Sequence, residues 1–214
     1  MIKKNKVTLI VTSLVMLIPI LVGLILWQKL PEQVPYHWNI QGEVDGWAGK
    51  SMAVFFMPLF MLAMHWICVL ATTADPKNTD YHPKTISLVL WICPVLNLVL
   101  NTLVYAAALN YPVDIEIIMP LLLGITFILI GNLLPKCRQS YTMGIKLPWT
   151  LHNEENWNKT HRLAGKLWVM GGIVIMASAL IGSFWILIGV ITLMVAIPTV
   201  YSYCLYRKQM KSEE

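Results

Sequence analysis

GNLLPKCRQSYTMGIKLPWTLHNEENWNKTHR, residues 131–162, leaves one apolar run and enters another. It departs through Asn132 and Pro135 and crosses a basic loop holding Pro148, Trp149, Thr150 and Leu151. It ends in a Trp157, Thr160, His161, Arg162 cluster. A connection that merely joins two membrane helices needs only a few polar residues. This one is long and rich in Trp, Asn and Thr, so function is expected to be read there.

The runs on either side decide the class. The chain has 214 residues, 57% hydrophobic and only 13% charged, against about 25% charged in a soluble domain. The deficit is concentrated in charge-free runs at Val7–Trp27, Met52–Ala71, Ile86–Leu109, Ile117–Leu134, Leu167–Ile181 and Phe184–Cys204. A spanning helix takes roughly 20 apolar residues. The expected fold is an all-α integral membrane protein with six transmembrane helices, the last two a tight helical hairpin about Gly182-Ser183. With the N-terminus in the cytoplasm, 14 of the 16 Lys and Arg residues fall inside and only Lys29 and Lys50 outside. That asymmetry places both termini in the cytoplasm of a bacterial inner membrane. The net charge of +5 then fits anionic membrane lipids rather than direct nucleic-acid binding. The first run ends in Trp27-Gln28-Lys29 without a small-residue cleavage site, which reads as an uncleaved helix. The four cysteines fall at or near the cytoplasmic side, which indicates no disulfide framework.

Three stretches divide the chain: 1–73, a two-span unit with the outer loop 28–51; 74–116, the third span and its flanks; and 117–214, with the cytoplasmic loop 135–166. In the outer loop, Pro31 and Pro35 favour extended backbone, and Gln41-Gly42 and Asp45-Gly46 signal turns. Its polar set, His37, Asn39, Gly42 and Asp45, reads either as a hydrogen-bonded loop packed on its own Trp residues or as a site for a peptide. One His and one or two acids fall short of a zinc set, so no metal or cofactor is expected. In the inner loop 72–85, Asp75-Pro76 and His82-Pro83 read as helix stops.

In the cytoplasmic loop, apolar residues at alternate positions from Met143 to Trp149 predict an extended segment. Asn153 is a good N-cap, with Glu154 and Glu155 in the turn that favours acids. Trp157, His161, Ala164 and Trp168 share a face of an interfacial helix that leads into span five. Thr160 and Arg162 lie off that stripe, free for a partner. Within the spans, Asn97 and Asn101 share a face and read as glue between helices, and Gly171-Gly172 permits close approach. His65, the one imidazole inside a span, reads as reaching the interface beside Trp66. Five spans contain proline, which predicts kinks. The chain has no metalloprotease His-Glu-x-x-His, phosphate loop or serine elbow, so no enzyme is expected.

Gly131, Asn132, Pro135, Lys136, Gly144, Ile145, Pro148, Trp149, Thr150, Leu151, Trp157, Thr160, His161 and Arg162 together resemble the SdpI family of bacterial membrane proteins. The closing AIPTVYSYCLYRK at 196–208, with Tyr201 and Tyr203, resembles it too. LPEQVPYHWNIQGEVDGW at 30–47 is similar to the domain of unknown function often found at the N-terminus of the same proteins. Ser140 stands near the family's usual Asn, Lys146 replaces Arg and Leu147 replaces Thr; Arg to Lys loses the planar fork.

The resemblance implies an immunity protein that senses or neutralises a secreted antimicrobial peptide toxin outside and holds a transcriptional repressor inside. On this reading His37, Asn39, Gly42 and Asp45 meet the toxin. Asn132, Pro148, Trp149, Thr150, Trp157, Thr160, His161, Arg162, Tyr201 and Tyr203 form the partner-binding or structural motif. A small peptide or lipid transporter, and a membrane enzyme using the polar loop, are the alternatives.

Overall fold

The computed structural model describes residues 1–77 and 82–213; the middle of the inner loop lies outside them. The helices are α1 (Lys6–Ile25), α2 (Met57–Thr73), α3 (Pro83–Ala108), α4 (Ile115–Leu133), α5 (Pro148–His152), α6 (Glu154–Ser178) and α7 (Phe184–Glu213). The chain is mostly helical but not all-α. Strands β1 (Gln33–Trp38) and β2 (Val44–Gly49) pair antiparallel across the outer loop. Pro31, Pro35 and the Gly42 turn had signalled extended backbone and a reversal, but two short strands with mixed burial give no clear alternation.

Among the described residues, five helices are long and apolar enough to cross a membrane: Lys3–Ile25, Met52–Thr73, Pro83–Ala108, Ile115–Lys136 and Phe184–Lys211. The stretch expected as a fifth span, Leu167–Ile181, is not among them; it falls largely in the C-terminal part of α6, one continuous helix whose first turns carry Glu154, Glu155, Lys159, Arg162 and Lys166. The helix expected at the interface and the stretch expected to follow it as a span are therefore a single element. His82-Pro83 proves to be a helix start: Pro83 opens α3, where a missing N–H costs nothing.

Contacts divide the chain into two units, residues 1–74 with 87–115 and residues 75–86 with 116–214. In the first, Asn97 Nδ2 donates to the Met16 carbonyl (3.0 Å), Asn101 Nδ2 donates to Asn97, and Tyr105 Oη donates to the Pro19 carbonyl (3.0 Å). Asn97 and Tyr105 thus fasten α3 to α1, whereas Asn101 bonds within α3 and is not the expected glue between helices; a bond between helices in lipid contributes about 0.6–2 kcal/mol. His65 does not reach an interface. It is fully buried, its Nε2 3.4 Å from Thr12 Oγ1. Position next to Trp66 in sequence said nothing of which helix face it occupied. Pro19, Pro94, Pro120 and Pro198 lie inside helices, whereas Pro58 opens α2 after a π-helical turn at Met52–Phe56.

In the second unit α6 is central. A Cβ on Gly172 would lie 2.6 Å from the Gly124 carbonyl, and one on Gly131 2.9 Å from the Gly165 carbonyl. Helices α4 and α6 therefore touch backbone to backbone at two points seven residues apart on each. Gly171 faces the other way, its Cβ position 2.3 Å from Met194 of α7. Adjacent glycines thus admit two different helices. Gly182 (φ 64°) turns the chain between α6 and α7.

Candidate functional site

Residues 131–162 fold into a compact cluster against the two ends it joins. Asn153 Oδ1 accepts the Asn156 N–H (2.8 Å) and starts α6, as its residue type dictates. Glu155 and Lys159 pair along the exposed side (2.6 Å). On the inner side Trp157, His161 and Ala164 are all buried, which confirms the stripe. Trp157 Nε1 donates to the Cys137 carbonyl (2.8 Å), and its ring stacks on His161 with centroids 4.0 Å apart.

His161 reads out its own tautomer. Its Nε2 accepts the Ile145 N–H (2.9 Å), so the proton sits on Nδ1, which donates to the Trp157 carbonyl (2.8 Å). The imidazole thereby staples segment 143–147 to α6. Gly144 is required at this contact: its φ is 108°, and a Cβ there would lie 2.5 Å from His161 Nε2 and 2.8 Å from the Trp157 ring. Burial holds His161 down at about 4, although the Trp157 carbonyl works the other way. Between pH 6.5 and 4 the unfolded chain carries a proton that the folded chain refuses. Stability contributed by neutral His161 is present above 6.5 and lost as pH falls toward 4, on the order of 3 kcal/mol in total. Thermal unfolding of detergent-solubilised protein at pH 7 and pH 5 measures it. A larger fall is expected for the wild type than for His161→Gln, which cannot titrate.

The segment 143–149 does not form the expected extended run: it bends through Met143 and Gly144, where φ is 108°, and reaches Leu147 in extended backbone (φ −105°, ψ 151°). Pro148 then begins α5, because a proline fixes the φ of a first helical turn. Thr150 closes the turn from inside: its hydroxyl accepts the Leu147 N–H (2.9 Å) and donates to the Ile145 carbonyl (2.8 Å). Trp149 Nε1 donates to Ser202 Oγ (2.8 Å), and its ring stacks on Tyr206 and meets Tyr203 edge-on.

Thr160 is not free for a partner. It is fully buried and donates to Asn156 Oδ1 (3.0 Å). The same oxygen accepts from Ser202 Oγ (2.7 Å), and Asn156 Nδ2 donates to the Ser202 carbonyl (2.9 Å). Position 160 is one turn beyond 156, so a buried amide draws it inward. Arg162, Asn132, Pro148 and Tyr201 are exposed.

The sequence reading missed Asn156 and Ser202, which join α6 to α7, and Tyr206, which stacks α7 on Trp149 of α5. It also missed Asp75. The Asp75 carboxylate is buried. Its Oδ2 accepts from Ser140 Oγ (2.5 Å), the Tyr141 N–H (2.8 Å), and the Thr142 N–H (3.0 Å) and Oγ1 (2.9 Å). Its Oδ1 accepts the Lys77 N–H (3.0 Å). Successive N–H groups converging on one anion form a nest. Burial alone would raise the Asp75 pKa, but the bonds from Ser140, Lys77 and Thr142 outweigh it and hold the carboxyl below its usual value. The Asp-Pro dipeptide signalled a helix end, and nothing local pointed across 65 residues. The short hydroxyl at Ser140, where the resemblance expected Asn, donates to this carboxylate.

In the other unit the hairpin assembles the four residues expected there, but in two roles. Asn39 Oδ1 accepts the N–H groups of Gln41 (3.0 Å) and Glu43 (2.9 Å), and Gly42 takes φ 73°; both build the turn. His37 Nδ1 and Asp45 Oδ1 lie 2.5 Å apart on an exposed face. Irregularities on both sides of His37 shift the register, and bulges re-aim side chains in this way. Underneath, Val34 is buried with Leu30, Val54 and Tyr105. Lys50 is buried, bonded to Glu32 (2.9 Å) and the Trp27 carbonyl (3.2 Å), and lies over the Trp27 ring.

Both regions coincide with recognised sequence families. Residues 136–202 match the SdpI/YfhL protein family, and residues 14–62 match a domain of unknown function, DUF1648. The chain is 30% identical over 209 residues to Immunity protein SdpI of Bacillus subtilis (strain 168), covering 96% of this chain and 97% of that protein. No solved structure matches. Apolar helices, a buried Trp157–His161 motif and near full-length similarity agree, and the chain belongs to the SdpI family as a multi-pass membrane protein.

Proposed function

We propose that this protein is an immunity protein of a bacterial cytoplasmic membrane that senses or neutralises a secreted antimicrobial peptide without catalysing a reaction. Similarity to an immunity protein along nearly the whole chain carries the reading. The asymmetry of Lys and Arg supports six spans with both termini inside, the 28–51 hairpin outside and 135–166 inside. The division at 1–73, 74–116 and 117–214 follows from that topology. On this arrangement the exposed His37–Asp45 pair faces the toxin. Arg162, exposed on α6 beside a rigid buried motif, faces a cytoplasmic repressor, and the Trp149–Tyr203–Tyr206 cluster holds that surface in shape.

The test is survival. A Bacillus subtilis strain lacking its own SdpI is given this chain and exposed to the peptide against which SdpI protects. Wild type is expected to restore growth, and no protection at normal membrane abundance would overturn the reading. His37→Ala and Asp45→Ala should each lower protection at least tenfold with unchanged abundance. Loss of abundance instead would assign the pair a folding role. Protection accompanied by peptide efflux from proteoliposomes would make the chain a transporter.

A further inference from the structure

The two edges of the hairpin are unlike. The Lys50 N–H donates to the Glu32 carbonyl (3.0 Å), which makes 32 and 50 a hydrogen-bonded pair. Bonded and non-bonded pairs alternate in an antiparallel ladder. With Gln33 opposite Gly49, Val34 opposite Ala48 and Pro35 opposite Trp47, the second pair is bonded and the other two are not. The backbone groups of residues 33 and 35 therefore point away from β2, and those of 47 and 49 point away from β1. On the β1 side Pro35 has no N–H to offer and is buried, so that edge keeps only the outward N–H of Gln33. On the β2 side Trp47 is 57% exposed, Gly49 is exposed, and both keep their N–H.

Gly49 has no internal justification. Its φ is not left-handed, and a Cβ built on it meets no atom within 4 Å. Gly46 differs, since its Cβ would lie 2.7 Å from that of His37. A strand glycine marks a bulge, a tight bend or a place where another backbone approaches closely, and the open space at Gly49 leaves room for the last. The charge around the edge is acidic. Of the charges in residues 28–51, Lys50 and Glu32 pair with each other, which leaves Glu43 and Asp45 against Lys29.

We propose that the free edge of β2, from Asp45 to Gly49, takes an extended segment of a cationic, apolar peptide as a third strand. The Trp47 and Gly49 N–H and C=O groups supply the ladder. Trp47 supplies an apolar contact, and Asp45 and Glu43 attract the cationic side chains. This inference rests on the peptide-immunity reading for its biological partner, and it names the mode of recognition and the side of the hairpin used.

The test uses full-length detergent-solubilised protein and a fluorescent (Lys-Val)4 peptide, read by anisotropy, with three comparisons. The same peptide N-methylated at alternate residues cannot complete a ladder. A (Glu-Val)4 peptide reverses the charge. Gly49→Pro removes one outward N–H and leaves the Lys50 bond in place. Each is expected to weaken binding at least tenfold. Equal affinity for the N-methylated peptide, or no binding of (Lys-Val)4, overturns the proposal, and neither outcome depends on a variant folding. Gly49→Val, whose side chain favours a strand, should keep the wild-type melting temperature yet lose at least tenfold in the survival assay. If survival is restored by wild type and retained by Gly49→Val and Gly49→Pro, the edge is not the docking site and the immunity reading stands. If wild type gives no survival but the peptides bind as stated, the immunity reading falls and the docking edge stands.

Discussion

Asp75→Ala is expected to destabilise the second unit by about 3–5 kcal/mol, the largest effect of a single polar truncation outside the spans. Four donors converge on one carboxylate oxygen and a fifth on the other. Each hydrogen bond to a charged group contributes about 1.5–3 kcal/mol, and the bonds of a network are not additive. Alanine leaves the N–H groups of Tyr141 and Thr142 directed at an empty space. Asp75→Asn is expected to cost only about 1–2 kcal/mol. Its amide oxygen can occupy the four-donor position, so that only the Lys77 N–H faces the amide nitrogen. Thermal unfolding in detergent ranks the three proteins. Equal melting temperatures for Asn and Ala would show that the charge, and not the pattern of acceptors, holds the 140–143 loop.

Trp157→Ala is expected to cost about 3–5 kcal/mol, the range for truncating a large aromatic in a packed interior. Trp157 is completely buried and is the surface on which His161 stacks and Gly144 packs. Its loss frees the ring that holds the Ile145 N–H, so the motif from Cys137 to Thr150 is expected to loosen as a whole. Trp157→Phe keeps an aromatic surface but leaves the Cys137 carbonyl without its donor, at about 1–3 kcal/mol. Limited proteolysis within 137–150, read beside the melting temperature, checks the mechanism. Faster cleavage in Ala than in Phe is expected. Unchanged cleavage in Ala would place the stability of this segment elsewhere.

These contacts explain why the stretch from Gly144 to His161 mixes apolar, glycine and polar residues. His161 requires Gly144, because no side chain fits between its Nε2 and the Ile145 N–H. Thr150 requires the turn after Leu147, because its hydroxyl bonds two backbone groups of the approach to it. Asn156 requires Ser202, because its amide is buried and both of its functions must be met. Arg162 makes no such demand and faces outward from the same helix. Within the motif the buried polar side chains spend their hydrogen bonds on one another and on backbone.

The sequence by itself determined the membrane class and the start of α6 at Asn153. It also determined the buried Trp157–His161–Ala164 stripe and the close approach at Gly171-Gly172. Each is a local or periodic property: length of an apolar run, a cap residue, a spacing of three or four, or a side chain too small to obstruct a neighbour. Only the tertiary structure decided that residues 33–49 pair as strands and that His65 turns inward. It alone placed Thr160 beneath a buried amide and Asp75 at the centre of the 140–142 loop. Those outcomes depend on which distant group arrives at a given face. A carboxylate 65 residues away from its hydroxyl donor leaves no trace in the pattern of either segment, because hydrogen bonds join atoms brought close by the fold and not residues placed close along the chain.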